Sequence, residues 1–327
     1  MRFLVGMVVL SASVQAQEHA FQSIFRPQAT PARAEYELSI LVLSICAAIF
    51  AVVTGLIVYV IVRFRDRGPI THAEPPQVYG SNQVEIAWTI IPILIVFVLT
   101  LATARVTSAI QDREPNGSSL QVNVIGHQWW WEFRYPDLKV VTANELHVPV
   151  GRATFLNLQS ADVVHSFWIP QMSGKTDVIP GRKNRMWIDP RETGVFLGNC
   201  AEYCGAQHAH MLIRLVVDTP EEFDKWTATQ RKNAQMTNSA GENAFLNGQC
   251  VDCHTVRGAP ASGDAGPDLT HFMSRSTFGS GMLPITVENL KRWLKDPQAV
   301  KSGTKMIIDP LSDKDVDAMV EYLMTLK

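Results

Sequence analysis

Two runs without a charged residue dominate the first third of the chain, Leu38 to Val62 and Ile86 to Ala104, the second ending at Arg105. A helix needs about 20 apolar residues to cross a hydrocarbon layer of about 30 Å, so the pattern predicts transmembrane helices at about 38–62 and 86–105. The connection opens with Arg63-Phe64-Arg65-Asp66-Arg67, and basic residues at the end of a span mark the cytoplasmic side. The pair therefore reads as a hairpin, with its N-terminus and everything beyond Arg105 facing outward. Ahead of it, Met1-Arg2-Phe3-Leu4 through Ala16 joins a basic start, a short apolar stretch and small residues. That is the pattern of a cleavable signal peptide over 1–16, followed by an N-terminal segment and hairpin over 17–111.

From Leu120 to about Asp218 the pattern changes to short β-like runs: Leu120 to Ile125, Trp129 to Tyr135, Ala153 to Leu158, Arg185 to Ile188 and Met211 to Val217. Gly, Pro, Asn and Asp punctuate them, which predicts an all-β sandwich or barrel over 112–225. Polar and small residues between Gln230 and Gly241 read as a linker at 226–240. Beyond it, 241–327 shows helical stretches at Thr286 to Leu294 and Ser312 to Leu326.

Composition narrows the partners. A chain of 327 residues with a formal charge of -2 and no basic run interleaved with aromatics is not a nucleic-acid binder. Membrane lipid is the partner that the apolar runs imply. Of the five cysteines, four form two close pairs, Cys200/Cys204 and Cys250/Cys253, while Cys46 lies inside an apolar run.

The segment Cys200-Ala-Glu-Tyr-Cys204-Gly-Ala-Gln-His208-Ala-His-Met211 gathers two thiols, imidazole and a thioether, the soft donors that copper prefers. A mononuclear blue-copper site uses one Cys, so a second Cys four residues on suits two bridged coppers. A disulfide loop or a zinc site are the alternatives for such a cluster. His165, in Asp162-Val-Val-His165-Ser-Phe-Trp168, is the candidate for a further imidazole, against the plainer role of a packed core histidine. Cys250-Val-Asp-Cys253-His254 is the c-type heme attachment motif, two thioether-forming thiols followed by an axial His. Met273, Met282 and Met306 are candidates for the second axial ligand.

On these residues the chain resembles the subunit II family of cytochrome c oxidases from about Glu35 to Asp218. The resemblance implies a two-helix hairpin followed by a cupredoxin-like sandwich that carries dinuclear copper, CuA. It implies Cys200 and Cys204 as bridges, His165 and His208 as terminal imidazoles, Met211 as a weak thioether and Glu202 through its carbonyl. By the same resemblance Trp129, first of Trp129-Trp130-Trp131, is where electrons arrive from cytochrome c. As strand residues, Trp129 and Trp131 would share one face and Trp130 the other. Glu85, just before the second span, stands where the family has an acidic residue at the mouth of a proton path. Glu202 and Asp177 are candidates for holding magnesium at the boundary with subunit I.

The tail resembles a small class I cytochrome c, with Gly266-Pro267-Asp268-Leu269 after the heme motif and Met306 where the axial Met is expected, although Ile307 replaces the frequent Pro. The whole is therefore similar to a caa-type oxidase subunit II: a transmembrane hairpin, an all-β sandwich and an all-α cytochrome module with covalent heme c. The resemblance implies subunit I and subunit III as partners and a soluble or membrane-bound cytochrome c as donor. It places the chain in a bacterial inner (plasma) membrane, with both cofactors outside and the oxygen-reducing site in another subunit. The small subunit of a CuA-containing nitric oxide reductase would look similar, and a membrane-anchored copper chaperone shares the paired thiols but needs no heme.

Overall fold

The computed structural model describes residues 18–19, 22–65, 77, 79–111, 113, 116–237 and 239–327. The expected signal peptide, and Asp66 and Arg67 of the basic connection, lie outside the described residues.

Helix α1 spans Thr30–Arg63 and α2 spans Asn82–Gln111, each longer than its apolar run by a polar turn or more. Their apolar side chains are exposed all round, Phe50 and Phe97 among them, as expected of helices solvated by lipid rather than by protein. The start of α1 and the end of α2 meet the same neighbour. Thr30 N donates to Asp189 Oδ1 at 2.6 Å, and Trp187 Nε1 donates to the Ile110 carbonyl at 2.7 Å. The two helices thus run antiparallel, with one end of the hairpin seated on the β-domain.

That domain is a sandwich of two sheets. One holds β1 (Leu120–His127), β2 (Trp130–Tyr135), β3 (Val140–Ala143), β5 (Thr154–Ser160) and β8 (Asn184–Ile188), in the order β3-β2-β1-β5-β8. The other holds β4 (Glu145–Pro149), β6 (His165–Trp168), β7 (Thr176–Val178), β9 (Gly194–Cys200) and β10 (Leu212–Asp218), in the order β4-β10-β9-β6-β7. Residues Glu18–His19 add a parallel strand beside β9. Alternation along each strand sends Val122, Val124, Leu156, Leu158, Phe196 and Leu215 into one apolar core with Trp131, Phe133 and Phe167.

Helix α3 (Pro220–Gln230) starts with a capping box between Thr219 and Glu222. It lays Trp226 flat on His147, ring centroids 4.3 Å apart, so residue 225 lies inside a helix packed on the sandwich.

The last module has its own core, built from Phe245, Phe272, Phe278, Leu290, Leu294, Val316, Met319 and Tyr322. Its helices are α4 (Ala240–Asn247), α5 (Cys250–Cys253), α6 (Val287–Lys295), α7 (Pro297–Val300) and α8 (Asp313–Leu323). Two hairpins with two residues per strand, Thr255–Val256 with Ala261–Ser262 and Thr277–Phe278 with Leu283–Pro284, interrupt the helical pattern.

Candidate metal centre and cofactor cavity

Strand pairing builds the metal cluster. Period two on β9 turns Phe196, Gly198 and Cys200 inward, and the pairing of Cys200 with Phe167 brings the last residue of β9 within two residues of His165 on β6. His165, at the start of β6, is fully buried against Cys200. The loop after Cys200 closes on itself, with Cys200 N donating to the Met211 carbonyl at 2.9 Å. That closure returns Met211 to the thiol pair.

All six donors foreseen in the sequence are brought together. Cys200 Sγ lies 3.8 Å from Cys204 Sγ, 3.9 Å from His165 Nδ1 and 3.2 Å from the Glu202 carbonyl. Cys204 Sγ lies 3.7 Å from His208 Nδ1 and 3.8 Å from Met211 Sδ. These are non-bonded spacings, so no disulfide joins the pair. They match the separation of ligands that share an ion with bonds of about 2.0–2.3 Å. Two thiols, two imidazoles, a thioether and a carbonyl are a fitting set for soft copper ions.

The surroundings act on the ligands in opposite senses. Hydrogen bonding from Cys204 pulls Cys200 well below the ordinary thiol value against the opposition of burial, with His165 assisting, and a thiolate is the form that binds metal. Cys204 is pushed up by the same partnership. Asp162 Oδ1 faces His165 Nε2 at 2.9 Å, which leaves Nδ1 toward the sulfur cluster. Burial favours a neutral His165 ring, but the hydrogen bonds and charges of Asp162 and Cys200 together outweigh it and raise the pKa. Gly126 makes room for the ring, since a Cβ there would fall 2.9 Å from His165 Cδ2.

A second site lies beside it. A cavity of about 300 Å³ is lined by Cys250, Cys253, His254 and Met306 from the last module and by Gln128, Trp129, Trp130 and Asn144 from the sandwich. His254 Nδ1 faces the Pro267 carbonyl at 2.8 Å, freeing Nε2 for a metal, and burial keeps its pKa low. Among the three axial candidates Met306 lines the cavity and Met273 and Met282 do not. Met306 Sδ accepts a hydrogen bond from Trp293 Nε1 at 3.1 Å. Heme fits this lining in its charge and its apolar residues: Arg275, buried on the cavity wall, has a buried Nε with no hydrogen-bond partner, where a propionate would supply one.

The tryptophans depart from expectation. Trp129 is not a strand residue, because Gln128 and Trp129 form the two-residue turn joining His127 to its partner Trp130. Trp131 is fully buried in the core, whereas Trp129 and Trp130 share the cavity wall instead of pointing to opposite faces. The Trp129 indole N–H donates to the Cys204 carbonyl at 3.0 Å, and Gln128 Nε2 reaches the same oxygen at 2.7 Å. Glu85 sits in the exposed first turn of α2, remote in sequence and element from both sites. Between Glu202 and Asp177 stands Lys175, with Nζ 3.6 Å from Glu202 Oε2 and 4.0 Å from Asp177 Oδ1.

Sequence reasoning missed Asp162 as the orienting partner of His165, although an acidic residue three positions before a ligand His was a readable signal. Gln128, Arg275 and the inter-module contacts of Lys301 and Glu145 carry no such signal, because they depend on how distant segments meet.

A soft-donor cluster and a heme-attachment motif a few residues apart in space are what a chain needs to hand electrons on at a membrane surface. That is the class this molecule falls in, a membrane-anchored electron-transfer subunit. Family models agree on its three parts: "Cytochrome C oxidase subunit II, transmembrane domain" matches 18–106, "Cytochrome C oxidase subunit II, periplasmic domain" 138–219 and "Cytochrome c" 239–327. Cytochrome c oxidase subunit 2 of Alkalihalophilus pseudofirmus is 34% identical, covering 92% of this chain and 90% of that protein. The subunits of the same name from Bacillus sp. strain PS3 and Bacillus subtilis are 37% and 36% identical, each covering 94% of this chain and 92% of theirs. The chain belongs to the cytochrome c oxidase subunit II family, in the form that carries a fused cytochrome c domain. It is a subunit of a heme-copper oxidase complex, anchored in the membrane, with copper implied by its periplasmic domain and heme by its cytochrome domain.

Proposed function

We propose that the subunit takes electrons from a cytochrome c donor at its heme c module, transfers them to dinuclear CuA, and delivers them to the oxygen-reducing centre of subunit I, with subunit III also in the complex. His165, Cys200, Glu202, Cys204, His208 and Met211 would hold the two coppers. Cys250 and Cys253 would tether the heme, and His254 and Met306 would be its axial ligands. When bound, the two groups would supply one-electron chemistry. The supporting observation is the position of Trp129, which walls the heme cavity while its indole N–H grips the Cys204 carbonyl. Its electrons therefore come from heme c of the same chain instead of from an external protein.

The membrane is a bacterial inner (plasma) membrane, crossed twice, with both cofactors on the outer side. The finer roles follow the same frame. Glu85 serves proton uptake into the catalytic subunit: Glu85→Gln should slow oxygen reduction while leaving the copper spectrum intact, and unchanged turnover would remove the role. Magnesium between Glu202 and Asp177 would have to displace Lys175.

The test is the order of reduction. Mixing reduced cytochrome c anaerobically with the purified complex should reduce heme c first and copper after it. Copper reduced while heme c stays oxidised would overturn the route.

A further inference from the structure

Each of the two extramembrane modules inserts one buried charge into the other. Lys301, at the end of α7 and 4% exposed, donates from Nζ to the carbonyls of Trp129 at 3.1 Å and His210 at 3.0 Å, both in the sandwich, and to Gly279 at 3.0 Å in its own module. Glu145, on β4 and 3% exposed, reaches the other way. Its Oε1 accepts from Ser276 N at 2.9 Å, Ser276 Oγ at 2.6 Å, Thr277 N at 3.0 Å and Thr277 Oγ1 at 3.1 Å.

The surface between them is closely fitted. Leu212 N donates to the Ser280 carbonyl at 3.2 Å, Gln207 Nε2 donates to the Ser302 carbonyl, and Lys305 Nζ stands 3.5 Å from Asp162 Oδ2. A Cβ on Gly281 would meet Leu212 at 3.0 Å, so the backbones approach closely there.

We propose that Lys301 and Glu145 are reciprocal positioning residues that hold the heme cavity and the metal cluster in one fixed pose. A buried ionisable group costs desolvation that only fixed hydrogen-bond partners offset, so such contacts discriminate strongly between poses. Any slide of one module over the other would leave an ammonium without its three acceptors or a carboxylate without its four donors. Lys301 grips the donor loop and the turn that holds it: His210, between His208 and Met211, and Trp129, whose indole donates to the Cys204 carbonyl. The pose is thereby referenced to the metal cluster and not to a remote surface. The inference rests on the cofactor reading above, and has a readout that needs neither cofactor to turn over.

The experiment compares the purified complex with Lys301→Met and Glu145→Ala by amide exchange and by flash reduction of heme c at increasing glycerol. Leu212 and Thr277 donate their N–H groups across the boundary. In the wild type both should exchange as slowly as the sandwich core, and copper should be reduced in a single phase indifferent to viscosity. Each variant should lose that single phase, gain a slower one that falls with viscosity, and exchange Leu212 and Thr277 faster, with the copper and heme spectra unchanged. If a variant does not assemble, Lys301→Gln or Glu145→Gln is read in the same way. Wild-type transfer that slows with viscosity, or variants with wild-type exchange and a wild-type single phase, would overturn the proposal. A wild type lacking the dinuclear copper signal would overturn the cofactor reading instead, and would be seen before any rate is measured.

Discussion

The sandwich and the cytochrome module hold their candidate cofactors in opposite ways. In the sandwich the donors sit at the end of a closed core, with Phe133, Phe167, Phe196 and Met211 all at 0% exposure. The sulfur and imidazole atoms are already within a ligand's reach of one another. In the cytochrome module the apolar side chains of Phe245, Phe272, Leu290, Leu294, Met319 and Leu323 face a cavity, and Arg275 keeps a buried N–H without a partner. The sandwich is a finished scaffold that accepts metal, whereas the core of the cytochrome module includes its cofactor. A loop of soft donors grips metal with few atoms, but a porphyrin adds apolar area to the small core of the module at 239–327.

The largest expected effect is on the second of these. Replacing Cys250 and Cys253 together by Ala removes the covalent heme and should abolish cooperative unfolding of the cytochrome module in calorimetry, while the sandwich transition persists. Stripping copper with a chelator should leave both transitions. If the module without heme still melts cooperatively, the contrast fails.

Next comes the closed core. Phe167 packs edge-on against Trp131, with centroids 5.2 Å apart, and against Phe133 at 6.3 Å. Phe167→Ala should cost about 3–5 kcal/mol in denaturant unfolding of the sandwich, and, two residues from His165, should weaken copper binding as well. A cost below about 1 kcal/mol would mean the core relaxes around the gap.

A smaller effect separates the axial candidates without unfolding anything. Met306→Ala should erase the near-infrared thioether band and lower the heme potential, whereas Met273→Ala should leave both. An intact band in Met306→Ala would move the ligand elsewhere.

The smallest is a pH effect confined to the sandwich. Burial opposes ionisation of Glu132, but hydrogen bonds from His127 at 3.1 Å and Arg134 at 2.6 Å outweigh it and hold its pKa below the ordinary value of 4.5. A carboxylate with a depressed folded pKa stabilises above its unfolded value and loses that contribution as pH falls through the folded one. The sandwich should therefore soften below about pH 4.5, less so in Glu132→Gln, as read by thermal melts across that range. Parallel curves for the two proteins would exclude the role.

Much of this was legible in the sequence where chemistry is local. Cys200 to Met211 puts five of the six donors in one loop, and the heme motif occupies five consecutive residues. Lipid-exposed apolar runs announce themselves because no buried face interrupts them. The strand Gly194–Cys200 did not, since its glycines read as turns. Gly198 is there because a Cβ would fall 2.3 Å from the Trp168 carbonyl. Val140–Ala143 and Glu145–Pro149 were not among the expected runs, and Asn144, with a φ of 62°, turns the chain between them in a single residue. The two-residue turn that takes Trp129 out of the strand register was hidden by the aromatic run itself. Lys301 and Glu145 were invisible because each acquires meaning from a module distant in sequence, from 91 residues for Lys301 and His210 to 172 for Lys301 and Trp129.

The central claim, that the sandwich holds two coppers beside one heme, is tested most directly by metal analysis with electron paramagnetic resonance on the purified protein. Two coppers per covalent heme, with one unpaired electron shared over both metals, is the predicted result. One copper per heme with a signal localised on a single ion would contradict it.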